Sequence, residues 1–290
     1  MKENKISELE LMFNYFTERR KQQKFKTFSS NELDVGSNLD NLSVLYYYLC
    51  DLRGFSKLPK IVSDKEYTNI KKDSSYVFSA IGREYYHGFQ DINHGASYLW
   101  DSYYHYGEGD FGNGFYMTSN PIIANMYTRD FNSNIKPRKE TSADRVMKAK
   151  LLTGNVTTLG DLKSLNYYLI DENVNGYAIL SKRNYDYSAL SQEKLEKEMQ
   201  RVNKFKDLVL FFKNIESEEQ KKDFLYAFTT NPSAMAVYLD FDYSIRGINL
   251  DDSDEQIMVF NRNCLAVSES EANRVFELSG DKYSWIVNQK

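Results

Sequence analysis

The chain has 290 residues, 41% of them hydrophobic and 27% charged, the balance of an ordinary folded soluble protein with room for a sizeable core. Its net charge of −4 provides no basic field, which argues against nucleic-acid binding by charge. No run of eighteen apolar residues exists, so no helical membrane span is predicted.

The N-terminus, "MKENKISELELMF", is charged and amphipathic and does not read as a signal peptide. Cytoplasmic synthesis is expected, with any export leaving no cleavable mark. Cys50 and Cys264 match no metal-ligand spacing; reduced thiols in apolar surroundings are expected, with a single disulfide as the alternative. The 23 tyrosines suit a wet pocket or a contact surface, although many belong in a core.

In chain order, residues 5–25 place Ile6, Leu9, Phe13 and Phe16 on one face and read as an amphipathic helix with a basic last turn. Leu42, Leu45, Leu49 and Leu52 give a second helix. "SDKE" at 63–66 is a capping box that starts a third. Residues 1–72 therefore read as a helical N-terminal region. The texture then changes. "YVFSAI" (76–81) and "EYYHGF" (84–89) read as aromatic strands, 95–106 as helical or irregular, and "GFYMT" (114–118) as a strand. Asn120 and Pro121 open a helix as N-cap and first helical residue. "RVMKAKLL" (145–152) alternates like a half-buried strand, and "GYAILS" (176–181) is another strand candidate.

From 191 to 230 the pattern is helical again. Leu195, Met199, Val202, Phe205 and Phe212 form a stripe, and Ser217 with Gln220 forms a second capping box. Asn231 and Pro232 repeat the arrangement of Asn120 and Pro121. "EQIMVF" (255–260) and "CLAV" (264–267) read as strands separated by "NRN". The fold class is α+β: residues 73–290 form a strand-rich domain with a helical insertion at about 191–230.

Two segments carry the chemistry. His87-Gly88 ends a predicted strand, and glycine after histidine lets a flat ligand approach the backbone. About twenty-five residues on, "GDFGNGFYMTSNPIIANMY" (109–127) concentrates Gly109, Gly112 and Gly114 ahead of a strand and a helix, with Tyr116 and Tyr127 eleven positions apart. The segment lacks the phosphate-cradling G-x-G-x-x-G and Walker patterns. No G-x-S-x-G elbow exists for acyl transfer. His94 and His105 have no paired carboxylates or cysteines beside them, so no metal site is expected.

Together, these segments resemble the NAD-binding core of the ADP-ribosyltransferase superfamily, in its His–Tyr–Glu branch. The likeness covers residues 76–130 and, loosely, the last strand. It implies a split β core of two small sheets with flanking helices. It also implies that NAD⁺ is a substrate, with ADP-ribose passed to a protein side chain. His87 would hold the nicotinamide ribose, Gly88 would bond the nicotinamide amide, and Gly114 would lie beside the nucleotide. Tyr116 and Tyr127 would sandwich the pyridinium, as aromatic faces hold a planar cation. A late-strand glutamate would stabilise the oxocarbenium-like transition state.

The candidate for that glutamate is Glu255, and two registers remain open. Matching the apolar run "IMVF" puts Gln256 at the catalytic position; a one-residue shift, or a bulge, puts Glu255 there. Glu255 is favoured, because glutamine cannot supply the charge. The arginine branch of the superfamily is not matched, since Ser253 stands two residues before Glu255. Arg53-Gly54 lies too far upstream to replace its first-strand arginine.

The resemblance and the Lys-, Asn- and Tyr-rich composition imply a bacterial toxin or effector acting on a host protein. It would be translocated without a cleavable signal. The acidic, polar tail 268–290 is compatible with a C-terminal secretion signal. The alternatives are a non-catalytic NAD- or ADP-ribose-binding module and an interaction protein whose aromatics are only core and surface.

Overall fold

The structure, a computed structural model, describes residues 7–22, 35–55, 57–72, 80–89, 92–100, 108–109, 112–128, 145–170, 191–246 and 255–279. The elements are α1 (Glu8–Gln22), α2 (Val35–Arg53), β1 (Lys60–Val62), α3 (Asp64–Asn69), β2 (Glu84–Gly88), α4 (Ile92–Trp100), β3 (Glu108–Gly109), β4 (Gly112–Asn113), β5 (Phe115–Thr118) and α5 (Pro121–Met126). There follow β6 (Val146–Leu151), β7 (Val156–Thr158), α6 (Leu159–Ile170), α7 (Gln192–Asn214), α8 (Glu218–Thr230), α9 (Pro232–Tyr238), β8 (Tyr243–Arg246), β9 (Gln256–Val259), β10 (Leu265–Ser268) and α10 (Glu269–Ser279). A 3-10 turn at Arg262–Cys264 fills the "NRN" connection. The expected strand at 176–181 and most of the one at 76–81 lie outside the described residues, as does His105.

The chain forms two compact units. The first joins Met1–Arg53, Glu108–Asn113 and Leu159–Asp240; the second joins Gly54–Gly107, Gly114–Thr158 and Phe241–Lys290.

The first unit is helical, with the small β3–β4 hairpin. Its core is aromatic: the rings of Phe13, Phe16, Phe212 and Phe228 lie 5.3–5.5 Å from that of Phe224. The buried stripe of α7 runs through Glu198, Arg201, Phe205, Leu208, Val209 and Phe212. Met199, expected in the stripe, is instead 60% exposed. The apolar spacing placed Met199 in the stripe. The fold instead turns Arg201 inward, where its Nη1 meets Glu198 at 2.6 Å and its Nε donates to Leu239 O.

Asn231 corrects a second expectation. It stands at the N-cap of α9 but makes no side-chain cap bond. Its amide pairs with that of Asn113, donating from Nδ2 to Asn113 Oδ1 at 2.5 Å and accepting from the Asn113 amide. Gly112 sits against this pair with φ +106°, and a Cβ there would lie 2.5 Å from Asn231 Oδ1. That glycine serves the docking of the hairpin.

The second unit holds a single mixed eight-stranded sheet, in the order β1-β10-β6-β2-β5-β9-β8-β7. Two small sheets were expected. The two four-stranded halves are fused where β2 meets β5, and that junction holds one registered pair, Tyr86 with Thr118. Lys60–Val62, read as part of a helical region, is an edge strand parallel to β10. Helix α4 packs on one face with α10 beside it. Helices α3 and α5 pack on the other.

Where β10 leaves β6, side chains continue the ladder. The Lys148 amide donates to Glu271 Oε1, and Arg274 Nη2 donates to Val146 O. Glu271 is buried with Arg274 as its ion-pair partner, so the backbone groups of β6 stay satisfied.

Candidate functional site

Three strands far apart in sequence lie side by side: β2 with His87-Gly88, β5 with Tyr116, and β9, which follows Glu255 and begins with Gln256. Successive side chains of a strand point to opposite faces, and paired residues share a face. The register Tyr86↔Thr118↔Gln256 and the pair Tyr116↔Met258 therefore sort the candidates. Tyr116 and Gln256 lie on one face, with Gly88. His87 and Glu255 lie on the other, with Tyr85, Phe115 and Met117.

On its face, His87 is half-buried in an aromatic cluster. Its ring stacks on Phe115 at 4.1 Å and meets Phe89 edge-on at 4.4 Å, and Tyr98 of α4 stacks on Phe115 at 3.6 Å. His87 Nδ1 bonds Tyr116 O across the junction where the β2–β5 ladder has its single pair. A carbonyl only accepts, so Nδ1 carries the proton. In the neutral ring Nε2 is then the acceptor nitrogen.

Glu255 is anchored by backbone and side chain. Its carbonyl accepts from the Ser119 amide at 2.9 Å, and its amide donates to Ser119 Oγ at 3.1 Å, which extends the β5–β9 ladder by one row. Its Oε1 accepts from the Tyr85 hydroxyl at 2.6 Å, and its Oε2 pairs with Arg83 Nη1. The Glu255 side chain is 13% exposed and that of Arg83 15%. Burial, and then the Glu255 charge, push the Tyr85 phenol far above its ordinary range, so it remains a proton donor.

On the opposite face, α5 presses directly on β2. A Cβ at Gly88 would stand 1.9 Å from Ala124 O, and one at Gly114 would stand 2.5 Å from Met258 Cγ. Both glycines are therefore required by packing. Asn120 caps α5 as expected, its Oδ1 accepting from the Ile122 amide, with Pro121 at the first position. Tyr127 ends that helix and is 56% exposed, while Tyr116 is half-buried. Helix α5 lies on the face that Gly88 presents, which is also the face of Tyr116.

Sequence reasoning thus picked out residues that the fold brings into one block of the second unit, but onto two faces. The tyrosines share a face with Gln256; the histidine shares one with Glu255. Arg83 and Tyr85 were missed. The signal for Tyr85 was present, since it stands two residues before His87 and so shares its face. Nothing local marked Arg83 as the partner of a residue 172 positions later.

Cys50 and Cys264 form no disulfide and are buried, and burial pushes the Cys264 thiol well up. Among the described residues, no group of three His, Cys, Asp or Glu side chains is placed to hold a metal ion. Among them, too, no helix is long and apolar enough to cross a membrane. No family model, no curated protein and no solved structure matches this chain.

Proposed function

We propose that the protein is a mono-ADP-ribosyltransferase. In this reading NAD⁺ binds the second unit near the β2–β5 junction. The bond between ribose C1′ and the nicotinamide nitrogen breaks, and neutral nicotinamide leaves. An acceptor side chain of a target protein, taken to be a host protein, attacks C1′ and gives up its proton. His87 holds the nicotinamide ribose, and the Glu255 carboxylate on the same face stabilises the positive charge that develops there; Gly88, Tyr116 and Tyr127 lie on the opposite face and take no part in this geometry.

The observation that supports this reading is the adjacency of β2, β5 and β9. Residues 87, 116 and 255, chosen on motif grounds, fall on three consecutive strands or their ends. The test is release of nicotinamide from NAD⁺ by the purified chain. Turnover lost in both His87→Ala and Glu255→Ala is expected, and turnover indifferent to both substitutions would reject the reading.

A second reading has its own support. Gln256, not Glu255, shares the face of the two tyrosines, and both oxygens of Glu255 already have donors. A module that binds NAD⁺ or ADP-ribose without cleaving it would suit that arrangement. It predicts that NAD⁺ raises the melting temperature while nicotinamide release stays at the uncatalysed level.

A further inference from the structure

We infer that Arg83 and Tyr85 are positioning residues that orient the Glu255 carboxylate in the candidate site. The inference rests on the NAD⁺-binding reading above and adds to it what orients the acid.

The sequence leaves both 255 and 256 open for one position, and in a strand the two point to opposite faces. Backbone register alone does not favour either as the functional group. The side-chain contacts of Glu255 show how its carboxylate is held. Tyr85 and Glu255 both flank Ser119, and each belongs to the face of His87. The Tyr85 hydroxyl takes one carboxylate oxygen and Arg83 the other. A carboxylate held at both oxygens keeps one rotamer, and each oxygen has a further lone pair with which to accept a ligand hydroxyl.

The two arms differ. Tyr85 is buried with no exposed surface, so it is a fixed post inside the sheet. Arg83 lies just before β2, and its guanidinium takes the second carboxylate oxygen. Lysine keeps the charge but replaces the planar guanidinium with a flexible ammonium, and is therefore a weaker replacement.

The experiment is a double-mutant cycle in NAD⁺ affinity, read by calorimetric titration of the full chain. Wild type, Arg83→Met, Glu255→Gln and the double variant form the cycle. His87→Ala reports on the NAD⁺ site itself. A charge-assisted acceptor is stronger than a neutral one. Glu255→Gln should therefore weaken NAD⁺ binding at least about fivefold when Arg83 is present. In the Arg83→Met background, where the carboxylate has lost its direction, the same change should weaken it less than about twofold. Tyr85→Phe should reproduce the Arg83→Met result. Arg83→Lys should fall between, and it replaces Arg83→Met in the cycle should that variant not fold. Binding that depends on His87, with an equal or larger Glu255→Gln effect in the Arg83 variant, overturns the positioning role alone. No NAD⁺ binding by the wild type overturns both the positioning role and the reading beneath it.

Discussion

At the scale of single residues, the glycines and tyrosines that first drew notice divide by function. Gly88 admits α5, since a Cβ there would fall 1.9 Å from Ala124 O. Gly88→Ala should therefore lower stability by about 1–3 kcal/mol through overpacking, measurable by urea unfolding, whatever it does to ligand binding. Tyr127, with 56% of its surface exposed, is the converse case. Tyr127→Ala should leave stability within about 0.5 kcal/mol. If NAD⁺ binds the face of Gln256, as the second reading has it, the change should still weaken NAD⁺ in a titration, because α5 and Tyr127 lie on that face. Equal binding by Tyr127→Ala and wild type would remove that tyrosine from the site.

Asp240 adds a backbone argument within the first unit. Its φ is +58°, a left-handed conformation that is costly for a residue with a Cβ. It is held there because Arg53 Nε and Lys204 Nζ pair with its carboxylate. The Asp240 and Leu239 carbonyls accept from Arg201, and Tyr238 O accepts from Arg53. Both Asp240→Gly and Asp240→Ala lose the ion pairs, but alanine alone keeps the backbone penalty. Alanine should therefore be the less stable of the two by about 1 kcal/mol in urea unfolding.

At the scale of elements, the capping signals read from sequence are physical and testable. The α3 box is complete: Ser63 Oγ accepts from the Glu66 amide, and Glu66 Oε2 accepts from the Ser63 amide. Asp64 then ties α3 to the start of α10, its Oδ1 accepting from the Ser270 hydroxyl and amide. The Ser270 hydroxyl is the chief cause that holds the Asp64 carboxyl below its usual value, and the Ser63 hydroxyl does the same for Glu66. A carboxyl whose folded value is lowered binds protons more readily when unfolded. Its contribution is therefore complete above the unfolded value, near about 4, and is lost as the pH falls through and below it. Hydrogen exchange at the Glu66 and Ser270 amides, corrected for intrinsic rates, should quicken on acidification in that window. Ser63→Ala should remove the pH dependence at Glu66.

What was legible at this scale was whatever local chemistry dictates. The alternation in 145–152 and the aromatic runs in 84–89 and 114–118 became β6, β2 and β5. The Asn120-Pro121 start and the Ser63 box were also correct. The misses share one cause, which is that distant partners decide the outcome. Lys60–Val62 is only three residues long and is a strand because β10 lies beside it. Residues 269–279, read as part of a polar tail, form α10, whose buried Glu271 serves the β6 ladder. Asn231 resembles Asn120 in sequence, yet its side chain turns to Asn113, 118 residues away.

At the scale of the whole molecule, the helical first unit depends on its aromatic core. Phe224→Ala should cost about 3–5 kcal/mol and be seen as faster exchange of α8 amides, because the ring is fully buried among other phenylalanines. The second unit carries every candidate site residue. Its sheet is one body rather than two because a single pair, Tyr86 with Thr118, bridges the halves. No sequence window reveals a contact of that size. The motif residues were legible because their spacing is local; their distribution over two faces was not, since it depends on the register of three strands.

The most direct measurement is transfer of labelled ADP-ribose from NAD⁺ to proteins of a eukaryotic lysate, with the full-length wild type beside His87→Ala, Glu255→Ala and Gln256→Ala. A transferase whose acid is Glu255 should give a labelled band that disappears with His87→Ala and Glu255→Ala and survives Gln256→Ala. A band that survives Glu255→Ala, or no band from the wild type at all, would contradict it.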